Sequence, residues 1–474
     1  MSASFRDPSG KVIAYNNRIL RTINEEGLKE YETAANSVVL KDFVESEHLV
    51  SAKELGSGEA GALTKSLESD FDIEKGEVKK LIEHNKIPYP NFPYEWTSEM
   101  LHSAANLTLD LAEKLLPEDI GLKDASPYNI LFNGSKPVFV DWLSFEKRDP
   151  KDPTWIPHAQ FVRTFILPLL VNKYFGWDLA EVFISNRDGL EPEKVSKMIS
   201  GLKKIKSPFF SMVTLPRILG AKKSKDSTIY EKKLSDSPEK AKFILEQQFK
   251  QLRRLLKKVS PRKDQTSEWA EYVGPDQHFT QNYLKQKDDL VNDWLNEFKP
   301  NSLLDIGCNT GYFSRIAAKN GAVVVSLDQD PVSVGNVWQL ANKDNLNILP
   351  LVVDITRPSP GIGWRNDENQ SFLNRIKGNF EGVLMLAVIH HMMVTERVPL
   401  PEIFKLISEV TNDILIIEFV PPDDKMFKII SRGRNHLFTY LDNEYFQTEA
   451  KKHFQIKRSE KLADSNRWLY LLKK

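Results

Sequence analysis

The chain has 474 residues, too many for one ordinary hydrophobic core, and this length predicts roughly two or three domains. Apolar residues make up 41% and charged residues 27%, which is typical of a globular protein and excludes an intrinsically disordered one. Lys plus Arg equals Asp plus Glu at 65 each, so no global field attracts the chain to nucleic acid or to an anionic membrane.

Cysteine content and hydropathy indicate the cellular compartment in which the protein is found. Cys308 is the single cysteine, which excludes an intramolecular disulfide and a cysteine-based zinc site, and we predict no metal site. The first ten residues lack the apolar core of a secretory signal. The most apolar run, 165–171, is far shorter than the ~20 residues that a membrane span needs. We therefore expect a cytoplasmic protein with no membrane span.

Residues 1–220 are predicted to form a separate α+β domain. Four short apolar runs form two predicted hairpins, 11–15 with 18–23 and 129–132 with 137–140. The turns between them contain Asn16-Asn17 and Asn133-Gly134, residue types that tolerate the left-handed backbone of tight turns. A mostly helical pattern follows Trp155.

Residues 221–268 are predicted to form a charged helical connector. The segment 221–227 is polar, and 235–258 has the pattern of an amphipathic helix whose last turns are basic, with Arg253, Arg254, Lys257 and Lys258. The basic cluster is interpreted as a solvated helix face, and an RNA or phosphate patch is the alternative.

Residues 269–474 alternate apolar strand-like runs with helix-like stretches, the pattern of a parallel α/β sheet. Seven strands are predicted, at 302–306, 322–327, 348–353, 382–386, 413–419, 454–458 and 468–472. The last two would pair as a hairpin at one edge and make the sheet mixed. The predicted fold class is α/β, with a Rossmann-like seven-stranded sheet at the C-terminus.

The first of these strands leads into a glycine loop and then into a helix-like stretch, 312–319. A P-loop requires Gly-Lys-Ser/Thr at its end, which the sequence after Gly311 lacks. A dinucleotide fingerprint requires a second glycine where Asn309 stands, and Asp305 would repel a phosphate. A ligand with positive groups and no phosphate suits this loop better.

Two more acids end the next two strands. Asp328 lies where a carboxylate accepts both hydroxyls of a ribose, and Asp354 lies where it accepts from an adenine amino group. A single acid at a strand end is as often the cap of the following helix. Three acids at one sheet edge, with Asp305 the first, favour a ligand site, because open α/β sheets bind ligands at this edge.

The segment Leu-Asp-Ile-Gly-Cys-Asn-Thr-Gly at 304–311 resembles the first motif of class I S-adenosylmethionine-dependent methyltransferases. Residues 326–330 and 353–354 resemble the second and third motifs. The resemblance implies that S-adenosyl-L-methionine is the cofactor. It implies the following cofactor-binding residues: Asp305, Gly307, Asn309, Gly311, Asp328, Asp354 and Leu386.

The acceptor side is less determined. Residues 384–392 resemble the substrate-facing segment of class I enzymes that act on small molecules, lipids or glycans, and the signature of amino-group methylation of nucleobases is absent. His390 and His391 are candidate general bases for a hydroxyl acceptor, although each is as often a buried structural histidine, and adjacent residues point to different sides. Glu418 is a further candidate base, or an ion-pair partner of Arg432 or Arg434. RNA is not favoured as the acceptor.

Asp124, Asn129 and Asp141 in the first region resemble the catalytic loop of the kinase-like aminoglycoside and choline phosphotransferases, where such residues serve as base and metal ligands. Leu122 stands where those enzymes have a histidine, and no glycine-rich loop follows the first hairpin. We therefore expect a kinase-like fold reused to bind an acceptor substrate or a nucleotide-bearing molecule. A nucleotide-dependent phosphotransferase, a structural network and a non-catalytic adenosylmethionine-binding module are the alternatives.

Overall fold

The computed structural model describes residues 6–71, 73–74, 76–218, 234–262 and 280–474. The chain divides into two compact units, Met1–Lys263 with Ile362–Asn369, and Asp264–Gly361 with Gln370–Lys474. The polar segment predicted at 221–227 lies outside the described residues, as do both ends of the predicted connector 221–268.

The first unit contains a four-stranded antiparallel sheet in the order β1-β2-β4-β3, and two short antiparallel pairs, β5 with β8 and the hairpin of β6 with β7. Its strands are β1 Val12–Tyr15, β2 Arg18–Ile23, β3 Ala52–Glu54, β4 Lys80–His84, β5 Ile120–Leu122, β6 Ile130–Asn133, β7 Lys136–Phe139 and β8 Phe145–Lys147. Its helices are α1 Leu28–Asn36, α2 Val38–Glu45, α3 Ser57–Asp70, α4 Ser98–Lys114, α5 His158–Phe161, α6 Leu167–Phe175, α7 Leu179–Ser185, α8 Pro192–Met198 and α9 Pro238–Lys258.

Both predicted hairpins of this unit are confirmed. Asn16 and Asn17 have φ angles of 49° and 64°, the left-handed pair that a two-residue hairpin turn requires. In the second hairpin Asn133 pairs with Lys136, so the turn lies one residue later than expected and Gly134, with a φ of 60°, takes its left-handed position.

Helix α9 begins where Ser237 accepts a hydrogen bond from the backbone N–H of Lys240, and its apolar face, including Phe249, is buried in the first unit. Arg253 forms ion pairs with Asp110 and Glu113 of α4. One side chain of the predicted basic cluster therefore binds carboxylates and is not a free phosphate ligand.

The second unit is built on a seven-stranded mixed sheet in the order β11-β10-β9-β12-β13-β15-β14. Its strands are β9 Ser302–Ile306, β10 Val323–Asp328, β11 Ile348–Val352, β12 Phe380–Met385, β13 Thr411–Phe419, β14 Gln455–Lys461 and β15 Trp468–Lys473. The first five are parallel, and β15 runs antiparallel to β13 and β14. The predicted Rossmann-like sheet and its edge hairpin are confirmed, and most strand ends differ from the prediction by one or two residues.

The helices of the second unit are α10 Gln281–Phe298, α11 Tyr312–Lys319, α12 Pro331–Asp344, α13 Phe372–Ile376, α14 Ile389–Val394, α15 Leu400–Val410, α16 Lys425–Ser431 and α17 Asn443–Lys451. Thr280 caps α10 and Asp330 caps α12 by accepting backbone N–H groups of the first turn. Strand residues Leu303 and Leu304 are both fully buried, because helices cover both faces of a parallel sheet. Among the described residues, no helix combines the length and the apolar character that crossing a bilayer requires.

Candidate active site

The loop between β9 and α11 has a backbone that only glycine tolerates at two positions. Gly307 and Gly311 both have φ angles of 75°. A Cβ atom on Gly307 would lie 2.0 Å from Cγ2 of Val388, and one on Gly311 would lie 2.8 Å from Cγ2 of Val337. The two glycines therefore let the loop pass close to neighbouring side chains at the carboxyl edge of the sheet.

Asp328, at the end of β10, lies beside this loop. Its carboxylate accepts the backbone N–H of Asn309 at 2.9 Å on one oxygen and that of Asp330 at 3.0 Å on the other. Burial raises the pKa of Asp328. Each carboxylate oxygen can accept more than one hydrogen bond, so Asp328 can fix the loop and still accept from a ligand.

Asp305, in β9, is buried and accepts a hydrogen bond from the hydroxyl of Ser314 at 2.5 Å. Ser326 donates in turn to the oxygen of Ser314 at 2.8 Å. Burial raises the pKa of Asp305 to about 6, helped by the negative charge of Asp328. The charge of Lys287 opposes this shift but does not outweigh it, so the carboxylate is suited to a further cationic ligand group.

Asp354 follows β11 and is bound by its own turn. It accepts the backbone N–H of Thr356 at 2.9 Å and Nε of Arg357 at 3.0 Å. Burial alone would raise the pKa of Asp354, but the donors Thr356 and Arg357 outweigh it and hold this pKa below its usual range.

These three acids line one cavity of about 790 Å³, a volume within the range of small-molecule and cofactor sites. All seven residues expected to bind a cofactor except Gly311 line it. Gly311 instead begins helix α11, where its tight packing against Val337 sets the path of the loop. The lining also includes Tyr283, Lys287, His391 and Arg467.

The two adjacent histidines face different surroundings. His391 lines the cavity, whereas His390 is 1% exposed and is not part of the lining. Burial and the nearby charge of Arg467 lower the pKa of His391 to about 4, and burial lowers the pKa of His390 well below its usual range. Both imidazoles are therefore neutral at pH 7, and His391 is the one that a bound molecule can reach.

Glu418, the further candidate base, does not line the cavity. It is fully buried and lies 2.6 Å from Nζ of Lys287 and 3.2 Å from Nη1 of Arg467. The hydroxyl of Tyr283 also donates to it, at 2.6 Å. Burial alone would raise the pKa of Glu418, but the charges of Lys287 and Arg467 outweigh it and lower this pKa. Glu418 is therefore an ion-pair partner, but the alternative that named Arg432 or Arg434 was wrong about the partners, because Glu418 points into the unit towards Lys287 and Arg467.

These partners of Glu418 were not predicted from the sequence. Tyr283 and Lys287 lie on α10, which was not among the predicted elements, although Val291, Trp294 and Leu295 follow helical spacing and are buried. Arg467 immediately precedes β15, and it also binds Asp424 at 2.9 and 3.0 Å. The antiparallel pairing of β13 with β15 brings Arg467 to Glu418.

In the first unit, the predicted residues Asp124, Asn129 and Asp141 also lie close together. The amide of Asn129 donates to Asp124 at 3.0 Å and to the hydroxyl of Ser144 at 3.2 Å. Ser144 donates to Asp141, and Nη2 of Arg21 lies 2.7 Å from the Asp141 carboxylate. Burial raises the pKa of Asp124, whereas Arg21 outweighs burial and lowers that of Asp141. Arg21 was not recognised in the sequence.

Residues 244–465 match a protein-family model described as a methyltransferase domain. Over its whole length the chain is similar to a curated relative, the nodulation protein NoeA of Rhizobium meliloti (strain 1021). It is 29% identical to that protein over 476 residues, which span 99% of this chain and 95% of the relative.

Several solved structures are also similar. The structure of WbdD is 17% identical over 40% of this chain and 39% of its own, with a TM-score of 0.29, so the match spans well under half of WbdD. The N-methyltransferase NodS of Bradyrhizobium japonicum WM9 is 13% identical over 41% of this chain and 97% of its own, with a TM-score of 0.31. Magnesium protoporphyrin IX methyltransferase of Synechocystis PCC 6803 is 20% identical over 43% of this chain and 90% of its own, with a TM-score of 0.31.

Proposed function

We propose that the chain, whose C-terminal region is an S-adenosyl-L-methionine-dependent methyltransferase domain, transfers the methyl group to a hydroxyl of a small molecule, a lipid or a glycan. The observation that carries this proposal is that the neutral imidazole of His391 lines the same cavity as Asp305 and Asp328. A hydroxyl needs a base to become a good nucleophile, and a positioned imidazole is the commonest one.

The residues of the cavity fit the cofactor. S-adenosyl-L-methionine supplies, when bound, a methyl group on a positively charged sulfur. Asp305 would face its cationic groups together with the backbone of the loop that contains Gly307. Asp328 would accept from the ribose hydroxyls, and Asp354 from the adenine amino group. Asn309 and Leu386 also line the cavity.

On the acceptor side, one imidazole nitrogen of His391 would accept the proton of the hydroxyl as its oxygen attacks the methyl group. A pKa of about 4 means that His391 returns this proton to solvent readily at neutral pH. The geometry of the cavity would supply the alignment on which an in-line displacement depends. His390 packs against His391 with 4.2 Å between ring centroids and would hold its orientation.

The test uses the full chain with S-adenosyl-L-methionine labelled on its methyl group and a fractionated cell extract, and it identifies the labelled molecules. We expect label on oxygen, and we expect His391→Ala to remove most of it. His436→Ala, which changes an exposed histidine outside the cavity, is the matched control. Label on nitrogen, or undiminished labelling by His391→Ala, would overturn the hydroxyl acceptor. Cofactor binding without labelling of any fraction would support the non-catalytic binding module.

We also propose that residues 1–220 recognise the acceptor, that 221–268 connect the two parts, that 269–474 carry the chemistry, and that the protein is cytoplasmic.

The contacts among Asp124, Asn129 and Asp141 support a nucleotide-dependent phosphotransferase as the second candidate. Against it, the permanently charged guanidinium of Arg21 lies 2.7 Å from the Asp141 carboxylate, so a magnesium ion bound at Asp141 would stand beside a fixed positive charge. ATP and Mg²⁺ binding that Asp141→Ala abolishes would favour the second candidate.

A further inference from the structure

The stretch 194–218 of the first unit has a local charge unlike that of the whole chain. Its 25 residues contain no Asp or Glu, and they contain six cations: Lys194, Lys197, Lys203, Lys204, Lys206 and Arg217. Over the whole chain the charges of the two signs are equal. A block of like charges in a balanced protein concentrates a positive potential at one place on the surface.

The same stretch exposes large apolar side chains. Leu202 and Ile205 are 73% and 66% exposed, and Phe210, Leu215 and Ile218 are between 39% and 48% exposed. Single exposed apolar residues are common on protein surfaces, whereas a group of them is typical of an interaction site. We call Leu202, Ile205, Phe210, Leu215 and Ile218, with the lysines among them, the basic apolar surface.

The basic apolar surface belongs to a folded segment, so its exposed side chains are held outwards by the packing of their neighbours. Phe209 is buried against Tyr174, with 5.1 Å between the ring centroids, and Met212 and Val213 are also buried. The hydroxyl of Thr214 donates to the carbonyl of Lys204 at 2.7 Å and joins the two turns.

The helical geometry of this segment determines which exposed side chains lie on the same side. Residues Phe210–Thr214 form a π-helical turn, in which hydrogen bonds join residues five apart. Phe210 and Leu215 are five residues apart and are both exposed, so they lie on one side of that turn. Ile218 follows Leu215 by three residues and extends the same side.

We propose that the basic apolar surface binds the surface of an anionic lipid membrane. Lysines attract negatively charged headgroups, and apolar side chains beside them enter the boundary between headgroups and acyl chains. Nucleic acid would use the lysines but would leave Leu202 and Ile205 without a function. A second copy of the chain would place like charges against each other across a two-fold axis. This inference does not depend on the proposed hydroxyl acceptor.

The experiment is cosedimentation of the full chain with vesicles of phosphatidylcholine alone and of phosphatidylcholine mixed with phosphatidylglycerol. We expect binding to the mixed vesicles only, and we expect added salt to weaken it because salt screens surface charges. Lys203→Glu with Lys204→Glu should weaken binding by about tenfold or more, since each lysine near an anionic surface contributes to attraction. Leu202→Ser with Ile205→Ser should weaken it similarly.

Matched controls carry the same substitutions at other exposed positions of the first unit. Val38→Ser with Ile156→Ser tests apolar residues that are 65% and 64% exposed, and Lys41→Glu with Lys65→Glu tests a change of charge. Both control variants should bind vesicles as the unchanged protein does. Lys204 is half-buried and the other substituted residues are exposed, and thermal unfolding verifies that each variant folds.

Three outcomes would overturn the proposal. The first is no binding to mixed vesicles, or equal binding to both kinds of vesicle. The second is binding that survives both pairs of substitutions in the basic apolar surface. The third is binding of a single-stranded oligonucleotide, or self-association, that Leu202→Ser with Ile205→Ser abolishes while vesicle binding is unchanged.

Discussion

The carboxylate of Asp328 accepts the backbone N–H of Asn309 at 2.9 Å and so ties the end of β10 to the glycine loop that follows β9. Asn309 has a φ of 50°, a left-handed conformation that costs energy in a residue with a side chain. A charged acceptor for its N–H compensates part of that cost. The acid therefore holds the shape of the loop in addition to any contact that it makes with a ligand.

Replacement of Asp328 by alanine should weaken the binding of S-adenosyl-L-methionine by about tenfold or more, because a charged hydrogen-bond acceptor contributes ~1.5–3 kcal/mol. Isothermal titration calorimetry measures this affinity directly. Asp344→Ala, which removes an acid of α12 that does not line the cavity, should leave the affinity unchanged. Equal affinities for the Asp328 variant and the unchanged protein would disprove this role.

Replacement of Gly307 by alanine should destabilise the second unit. The left-handed backbone costs a residue with a Cβ atom about 1–2 kcal/mol, and the overlap with Val388 adds about 1–3 kcal/mol. Chemical denaturation measures the loss. The double variant Gly307→Ala with Val388→Ala should recover only the part due to overlap. A single variant as stable as the unchanged protein would show that the loop can adopt another backbone conformation.

The parts of the site that were predictable from sequence are those that lie close together along the chain. The strand, the glycine loop and helix α11 span residues 302–319, and their hydrophobic pattern and glycine spacing predict both the fold and the ligand edge. Asp328 and Asp354 follow from the same repeat, because each ends the next parallel strand of the sheet.

The remaining contacts depend on pairings between distant residues. Lys287 reaches Glu418 from a helix more than a hundred residues earlier, and Arg467 reaches it because β15 pairs with β13 in one register. A one-residue shift in that register would place Arg467 elsewhere. The residues next to Glu418 in the sequence do not distinguish a catalytic carboxylate from a buried ion-pair partner. For the same reason they did not reveal that its partners are Lys287 and Arg467 and not Arg432 or Arg434.

The pH dependence of methyl transfer should report the pKa of His391. A histidine acts as a general base in its unprotonated, neutral form. Burial lowers the pKa of His391 to about 4. The value of kcat/KM should therefore be independent of this group above about pH 5 and should fall as the pH drops through about 4. His391→Ala should lower kcat by about 10²- to 10⁴-fold. Because Asp305 titrates at about 6 in the same cavity, only a decline near pH 6.5 that the residual activity of His391→Ala lacks would contradict this environment of His391.

Replacement of Glu418 by alanine should destabilise the second unit by about 3–5 kcal/mol, because it leaves the buried charges of Lys287 and Arg467 without their shared carboxylate. The folded pKa of Glu418 is lowered, so its stabilisation is fully present above the unfolded value of about 4.3 and is lost as the pH falls through the folded value. Chemical denaturation at pH 7 and at pH 4 measures both effects, and the difference between the unchanged protein and Glu418→Ala should be smaller at the lower pH.

A second substitution at the same position separates a supporting role of Glu418 from a catalytic one. Glu418 contacts Tyr283 and Lys287, which line the cavity from α10, but it does not line the cavity itself. Glu418→Gln preserves the shape and one acceptor oxygen, and it should raise the KM for the cofactor more than it lowers kcat. If Glu418 were instead the base, Glu418→Gln would lower kcat by about 10²-fold or more with little change in KM, and the acid limb of the pH profile would disappear.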